Sequence, residues 1–144
     1  MNTPTGSLVV TLTRAISAPP AEVFDAWMDP ALPCNTWHGS EQLILDPRPD
    51  RAFYFRHKMS EGHEVAHFGR FTAVDRPARL QYTWMSQYTR GLESEVTVTF
   101  EPAGGGTKLT LRHAGLPDDE FGQLHEGGWG HYLGLLEGHF QPAR

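Results

Sequence analysis

The chain holds a single cysteine, Cys34, so no intrachain disulfide can form. The expected setting is therefore a reducing one, the cytoplasm. No apolar run approaches the ~20 residues a membrane helix needs. Met1 to Ser7 lacks the basic start and apolar core of a secretory signal. There is no basic cluster, and the formal net charge is −5. Nucleic acid and anionic membrane are thereby set aside as partners. Metal and nucleophile words are absent too: there is no His-Glu-x-x-His, no Cys-x-x-Cys and no nucleophile elbow. His63 and His67 would lie roughly 13 Å apart along a strand, and His131 and His139 two helical turns apart, so neither pair chelates one ion. No metal and no cofactor are expected. Cys34 has no adjacent basic residue to lower its thiol pKa and reads as a packed or surface thiol. Gly104-Gly105-Gly106 lacks the Lys-Ser/Thr ending of a phosphate loop and reads as a hairpin turn. No internal repeat, low-complexity tract or linker divides the 144 residues, which read as one domain with residues 1–6 frayed.

What is present is an ordinary globular balance, 39% hydrophobic and 20% charged, punctuated by fifteen Gly and eleven Pro. Leu8, Val10 and Leu12 alternate with polar or outward positions, a strand running to Ile16. Pro19 and Pro20 stop it and open a helix whose Val23, Phe24 and Trp27 share a face. Asp29-Pro30 ends that helix, and a second short helix is expected over Ala31 to Trp37. Strands follow at Gln42 to Leu45, at Ala52 to Met59 with Phe53, Phe55, His57 and Met59 on one face, and at Val65 to Val74. Glu61-Gly62 reads as the turn between the last two, and Gly69 as a bulge or a point of close backbone approach. Leu80, Tyr82 and Trp84 alternate next; then comes a polar loop, Ser86 to Leu92, and two more alternating runs carrying Val96, Val98, Phe100 and Leu109, Leu111, His113.

The last stretch, Asp118 to Phe140, reads as a long helix. Phe121, Leu124, Trp129, Tyr132, Leu133, Leu136 and Phe140 recur at helical spacing. Six glycines interrupt it, each at a cost of roughly 1 kcal/mol relative to Ala, so the helix needs a broad apolar surface to lie on. Gly127-Gly128 reads as a kink. Gly130, Gly134 and Gly138 repeat every four residues and make a smooth face for close packing on the sheet or on a second copy in a homodimer. Consecutive strands on short turns imply an antiparallel sheet with one apolar face. The class is α+β: a curved sheet of six to seven strands around one long helix, with two short helices after the first strand.

Specific words along the chain support a family resemblance. They are Arg14-Ala15-Ile16 with Ala18-Pro19-Pro20 and Val23-Phe24-Asp25-Ala26-Trp27, Gly69-Arg70-Phe71 with Val74-Asp75-Arg76-Pro77, Leu80 with Tyr82-Thr83-Trp84, Gly106-Thr107 with Leu109, Leu111 and His113, and Gly128-Trp129 with Leu133 and Leu136. In this order they resemble the START-like, birch-pollen-allergen-like superfamily. Within it they are most similar to the family named for the activator of the heat-shock-protein-ninety ATPase. The resemblance implies a helix-grip fold with a cavity between sheet and long helix, in a family known for holding small apolar molecules. Trp37-His38-Gly39-Ser40 and Asp50-Arg51-Ala52 depart from the family's words at what should be one mouth of that cavity.

The leading expectation is a small hydrophobic ligand held between sheet and helix, without defined catalysis. Phe55, Phe71, Tyr82, Trp84, Trp129 and Leu133 would give apolar contact, His57 and His113 would orient polar groups, and Trp27, Trp37 and His38 would shape the entrance. For His57 and His113 the competing reading is structural, a ring hydrogen-bonded to backbone or to a neighbour. Two other classes compete for the whole chain. One is a surface-acting co-chaperone, as the family name suggests. The other is a cyclase, dehydratase or hydrolase using a cavity His with Tyr82, against which stands the lack of any acidic residue on the inward face.

Overall fold

In the computed structural model, which describes residues 6–60 and 62–141, the chain runs β1 (Leu8–Ile16), α1 (Pro20–Met28), β2 (Gln42–Leu45), β3 (Ala52–Ser60), β4 (His63–Asp75), β5 (Arg79–Trp84), a 3-10 turn (Gln87–Thr89), β6 (Ser94–Ala103), β7 (Gly106–Leu116) and α2 (Glu120–His139). The strands form one antiparallel sheet in the order β1-β7-β6-β5-β4-β3-β2. Strand β1 thus pairs with β7 at the far end of the chain. Val96, Val98 and Phe100 of β6 and Leu109 and Leu111 of β7 are all buried, which fixes which face curls inward. α2 lies across that face against β1, and α1 packs Phe24 and Trp27 onto Phe100 of β6. This is the START-like helix grip. Among the described residues no helix is long and apolar enough to cross a membrane. The inward position read for Met59, half of the Glu61-Gly62 turn and most of the frayed start fall outside the described part; Gly62 itself has φ +76°.

The second short helix does not form. Residues 31–39 make successive turns instead. Asn35 explains the outcome: its Nδ2 donates to the Ala26 and Asp29 carbonyls at 2.8 and 2.7 Å, and its Oδ1 accepts from the Trp37 amide at 3.1 Å. A side chain that closes its own local bonds competes with a helix ladder, and Pro33 removes a donor. The turns carry Trp37 inward, where its Nε1 donates to the Trp27 carbonyl at 3.0 Å.

α2 begins at an N-cap, Asp119, whose Oδ1 accepts from the Phe121 and Gly122 amides at 2.9 and 3.1 Å. Arg90, which ends the 3-10 turn in a left-handed conformation, pairs with the other Asp119 oxygen and lies over the Phe121 ring at 4.1 Å. The backbone amides at the helix start hold the Asp119 carboxyl below its usual range, and Arg90 adds to the effect. The helix continues unbroken through Gly127-Gly128. A Cβ added at Gly127, Gly128, Gly130, Gly134 or Gly138 would meet nothing within 4 Å, so these glycines do not serve close packing on the sheet. Gly69 is the opposite case: a Cβ there would sit 2.1 Å from the Thr83 carbonyl oxygen, the close approach its position suggested.

Candidate functional site

Period-two alternation puts Phe55 and His57 of β3 on the inward face, and the β3–β4 register pairs them with His67 and Val65. On α2, Leu124, His125, Gly128, Trp129 and Tyr132 share one side at helical spacing. Together with Trp84 of β5, Thr36, Lys58 and Tyr88 these residues enclose a cavity of about 440 Å³ between sheet and helix, within the range of small-molecule sites. Phe55, Val65, Trp84 and Trp129 are buried and make its floor. Lys58, Leu124 and Gly128 are exposed and mark its mouth. The mouth therefore opens between the end of β3, the 3-10 turn and the first half of α2.

Four of the expected ligand residues reach this cavity: Phe55, His57, Trp84 and Trp129. The other four are core. Phe71, Tyr82 and Leu133 have no exposed surface, and Phe71 and Tyr82 ring Trp37 with Phe53 and Phe55. Burial pushes the Tyr82 phenol up, out of reach of acid–base work. His113 is fully buried and closed on both sides. Trp129 Nε1–H donates to its Nδ1 at 2.9 Å, its Nε2–H donates to Ser94 Oγ at 2.7 Å, and Ser94 donates on to the Trp84 carbonyl at 2.6 Å. That chain fixes a neutral tautomer, and burial holds the His113 pKa well below its ordinary value. His113 thus positions Trp129 from behind rather than meeting a ligand.

The expected entrance is also displaced. Trp27 is buried and stacks on Trp129 at 6.0 Å. Trp37 is buried at the centre of the aromatic cluster. His38 is exposed, with Nδ1–H donating to the Pro30 carbonyl at 2.9 Å. None of the three lines the cavity; from the turns after α1 only Thr36 reaches it.

Sequence reasoning missed His67, His125, Val65, Tyr132 and the rim residues, although signals existed. Counting back by twos from Phe71 gives Gly69, His67 and Val65; counting by helical steps from Trp129 gives His125 and Tyr132. The His67 ring stacks on Phe55 at 4.9 Å and lies 4.7 Å from Trp84. Its Nδ1 is sealed without a partner, as is Trp84 Nε1. Burial, reinforced by His57 and His125, drives the His67 pKa down to about 3. His125 donates from Nδ1 to the Phe121 and Gly122 carbonyls at 3.1 and 3.2 Å, and burial lowers its pKa as well. His57 donates from Nε2 to the Thr36 carbonyl at 2.7 Å. Among the described residues no three His, Cys, Asp or Glu side chains converge to hold a metal ion. Cys34 is buried and its thiol is pushed up by that burial, which leaves it inert as a nucleophile.

The family model for Activator of Hsp90 ATPase homolog 1-like protein matches residues 17–141. Solved structures share the fold. A Chromobacterium violaceum protein is 26% identical, with TM-score 0.77 over 94% of this chain and 98% of its own. An AHSA1 protein of Silicibacter pomeroyi is 28% identical, with TM-score 0.75 over 92% and 96%. DynU16, a protein of the dynemicin biosynthetic locus, is 25% identical, with TM-score 0.69 over 91% of this chain and 46% of its own. Comparison with curated proteins gives no match. The chain belongs to the Activator of Hsp90 ATPase homolog 1-like family.

Proposed function

We propose that this member of the Activator of Hsp90 ATPase homolog 1-like family binds a small, mainly apolar molecule in the cavity between the sheet and α2. The observation that carries the reading is the cavity itself, about 440 Å³ walled by Phe55, Val65, Trp84, Trp129 and Tyr132. An unfilled apolar space of that size leaves its lining without dispersion partners, a cost that an apolar guest offsets. The polar groups around it suit binding better than turnover. The lining holds no carboxylate, His57 and His125 are each tied to backbone carbonyls, and the deep rings are neutral at pH 7. A general acid–base pair needs two groups suited to exchange a proton near the working pH, and this lining has no carboxylate to partner a ring. The likeness to DynU16, of a biosynthetic locus, is in keeping with a small-molecule ligand.

The test is titration of the folded protein with a neutral apolar dye such as N-phenylnaphthylamine. Saturable uptake at one site per chain is expected, with energy transfer from Trp84 and Trp129 on the cavity floor. Absence of uptake by the native protein, or uptake that persists unchanged in Trp84→Ala, would count against the reading.

A further inference from the structure

Resting on that binding reading, we propose that the cavity selects by charge: its guest is an apolar molecule bearing one acidic group, a carboxylic acid or an acidic phenol. The acidic head sits at the β3 end, by His57 and Lys58, and the body lies on Trp84 and Trp129.

The argument starts from what lines the space. The chain has seventeen Asp and Glu against twelve Lys and Arg, yet the lining has no acid at all. It has Lys58 and three of the chain's eight histidines. A charged group brought into a water-poor cavity must meet an opposite charge or lose its hydration without return. This lining can offer positive charge on Lys58. For a cation it has ring faces and neutral acceptors but no carboxylate, and it already carries the like charge of Lys58.

The ring nitrogens point the same way. His57 uses Nε2–H on the Thr36 carbonyl, which leaves Nδ1 free. His125 uses Nδ1–H on two backbone carbonyls, which leaves Nε2 free. In the neutral rings both free nitrogens are acceptors, matched by a guest that brings an O–H; if such a nitrogen takes the proton, it becomes a donor matched to the guest's anion. The balance is one proton in either case, shared between ring nitrogen and oxygen. Lys58 is available to complete the contact. Its acid partner, Glu41, stands 3.9 Å away and also engages Arg56 at 3.4 Å, and the Lys58 side chain is 61% exposed. The other titratable groups that face the cavity do not oppose an anion. His67 on β4 has its Nδ1 sealed without a partner, and His63, further along that strand and outside the lining, is engaged with the Tyr88 hydroxyl at 3.2 Å. His113, behind Trp129, is closed at both nitrogens.

Three probes with one body separate this from simple apolar binding: naphthoic acid, naphthalenemethanol and naphthylmethylamine, titrated at pH 7 and constant salt by quenching of the cavity tryptophans. The expected order is acid tightest and amine weakest, with at least about a tenfold gap between them, as expected when a like charge enters beside Lys58. Lys58→Gln, an exposed change, should weaken the acid severalfold and the alcohol much less; His57→Gln, checked for native melting, should weaken both O–H guests and the acid more. Equal binding of all three, or an acid preference that survives the double variant, would overturn charge selection and leave the apolar-cavity reading standing. Failure of all three to bind, with failure of the neutral dye, would overturn both.

Discussion

Gly128 offers a way to separate binding from folding in one substitution. It lines the cavity mouth, is exposed, and would seat a Cβ with nothing within 4 Å. The Cβ of Gly128→Leu therefore meets no clash. The substitution should stabilise α2 by about 0.8 kcal/mol through helix propensity alone, raising Tm by about 3 °C for a chain of this length. A leucine side chain at the mouth displaces on the order of 60–100 Å² of ligand contact, and at ~25 cal/mol per Å² this is about 1.5–2.5 kcal/mol, or roughly 10- to 70-fold in Kd. Gly134→Ala is the control: exposed, equally free of neighbours, and away from the cavity. It should gain up to about 1 kcal/mol and leave Kd untouched. Thermal melts and dye titrations on the same samples read both quantities. A Gly128→Leu protein that melts higher and binds the dye with unchanged affinity would show that the guest does not occupy this cavity.

Further expectations follow from the polar framework. His113→Leu keeps the volume but strands the Trp129 indole N–H, and urea titration should show a loss of about 2–4 kcal/mol, partly restored in His113→Gln. Asp119→Ala removes the α2 N-cap together with the Arg90 pairing, and should cost about 1 kcal/mol in the same assay while leaving the strands' circular dichroism intact. Acid should destabilise the fold from about pH 6.5 downward. His67, His113 and His125 all have folded pKa values lowered from the ordinary 6.5, so the unfolded chain takes protons first as pH falls. Their contribution is complete above the unfolded value and is lost below it, at up to about 1.4 kcal/mol per pH unit for a ring between its two pKa values. For His67 the window runs from 6.5 down to about 3. Urea midpoints that stay flat between neutral pH and about pH 5 would refute this account of the three rings.

The strands' places along the chain, their faces and the long covering helix were legible because alternation and helical spacing report directly on which side chains must leave water. Every strand from Leu8 onward lies where its pattern placed it, to within a few residues. The turns at residues 31–39 were not legible, since they depend on Asn35 reaching carbonyls six and nine residues away. The site was half legible. Parity identified Phe55, His57, Trp84 and Trp129 as inward, but parity cannot say how far under the helix an inward residue lies. Phe71, Tyr82, His113 and Leu133 are as inward as the others and are covered, whereas Lys58, outward by pattern, and Leu124, read on the helix's apolar stripe, are both exposed and border the mouth. Whether an inward residue faces a guest or a neighbour is decided by where α2 crosses the sheet, which no local period encodes.

The glycines of α2 now carry a different meaning from the one their spacing suggested. Five of them face open space, so together they forgo about 4–5 kcal/mol of helix propensity without a packing reason. The second half of the helix withstands this because Trp129, Leu133 and Leu136 are buried, at roughly 2–3 kcal/mol each. The first half has no such anchor: within residues 120–128 only Gly122 is buried, and the Asp119 cap holds the end. That half is also the cavity's outer wall, through Leu124, His125 and Gly128. A marginal wall over a binding space should open locally more often than the rest of the helix. Amide exchange should accordingly be clearly faster over residues 123–128 than over residues 132–137. Gly127→Ala should slow it there and slow dye entry in stopped flow, with little change in equilibrium affinity. Uniform protection along α2, or an entry rate indifferent to Gly127→Ala, would mean that the guest enters by another route and that the glycines leave the wall as firm as any other helix.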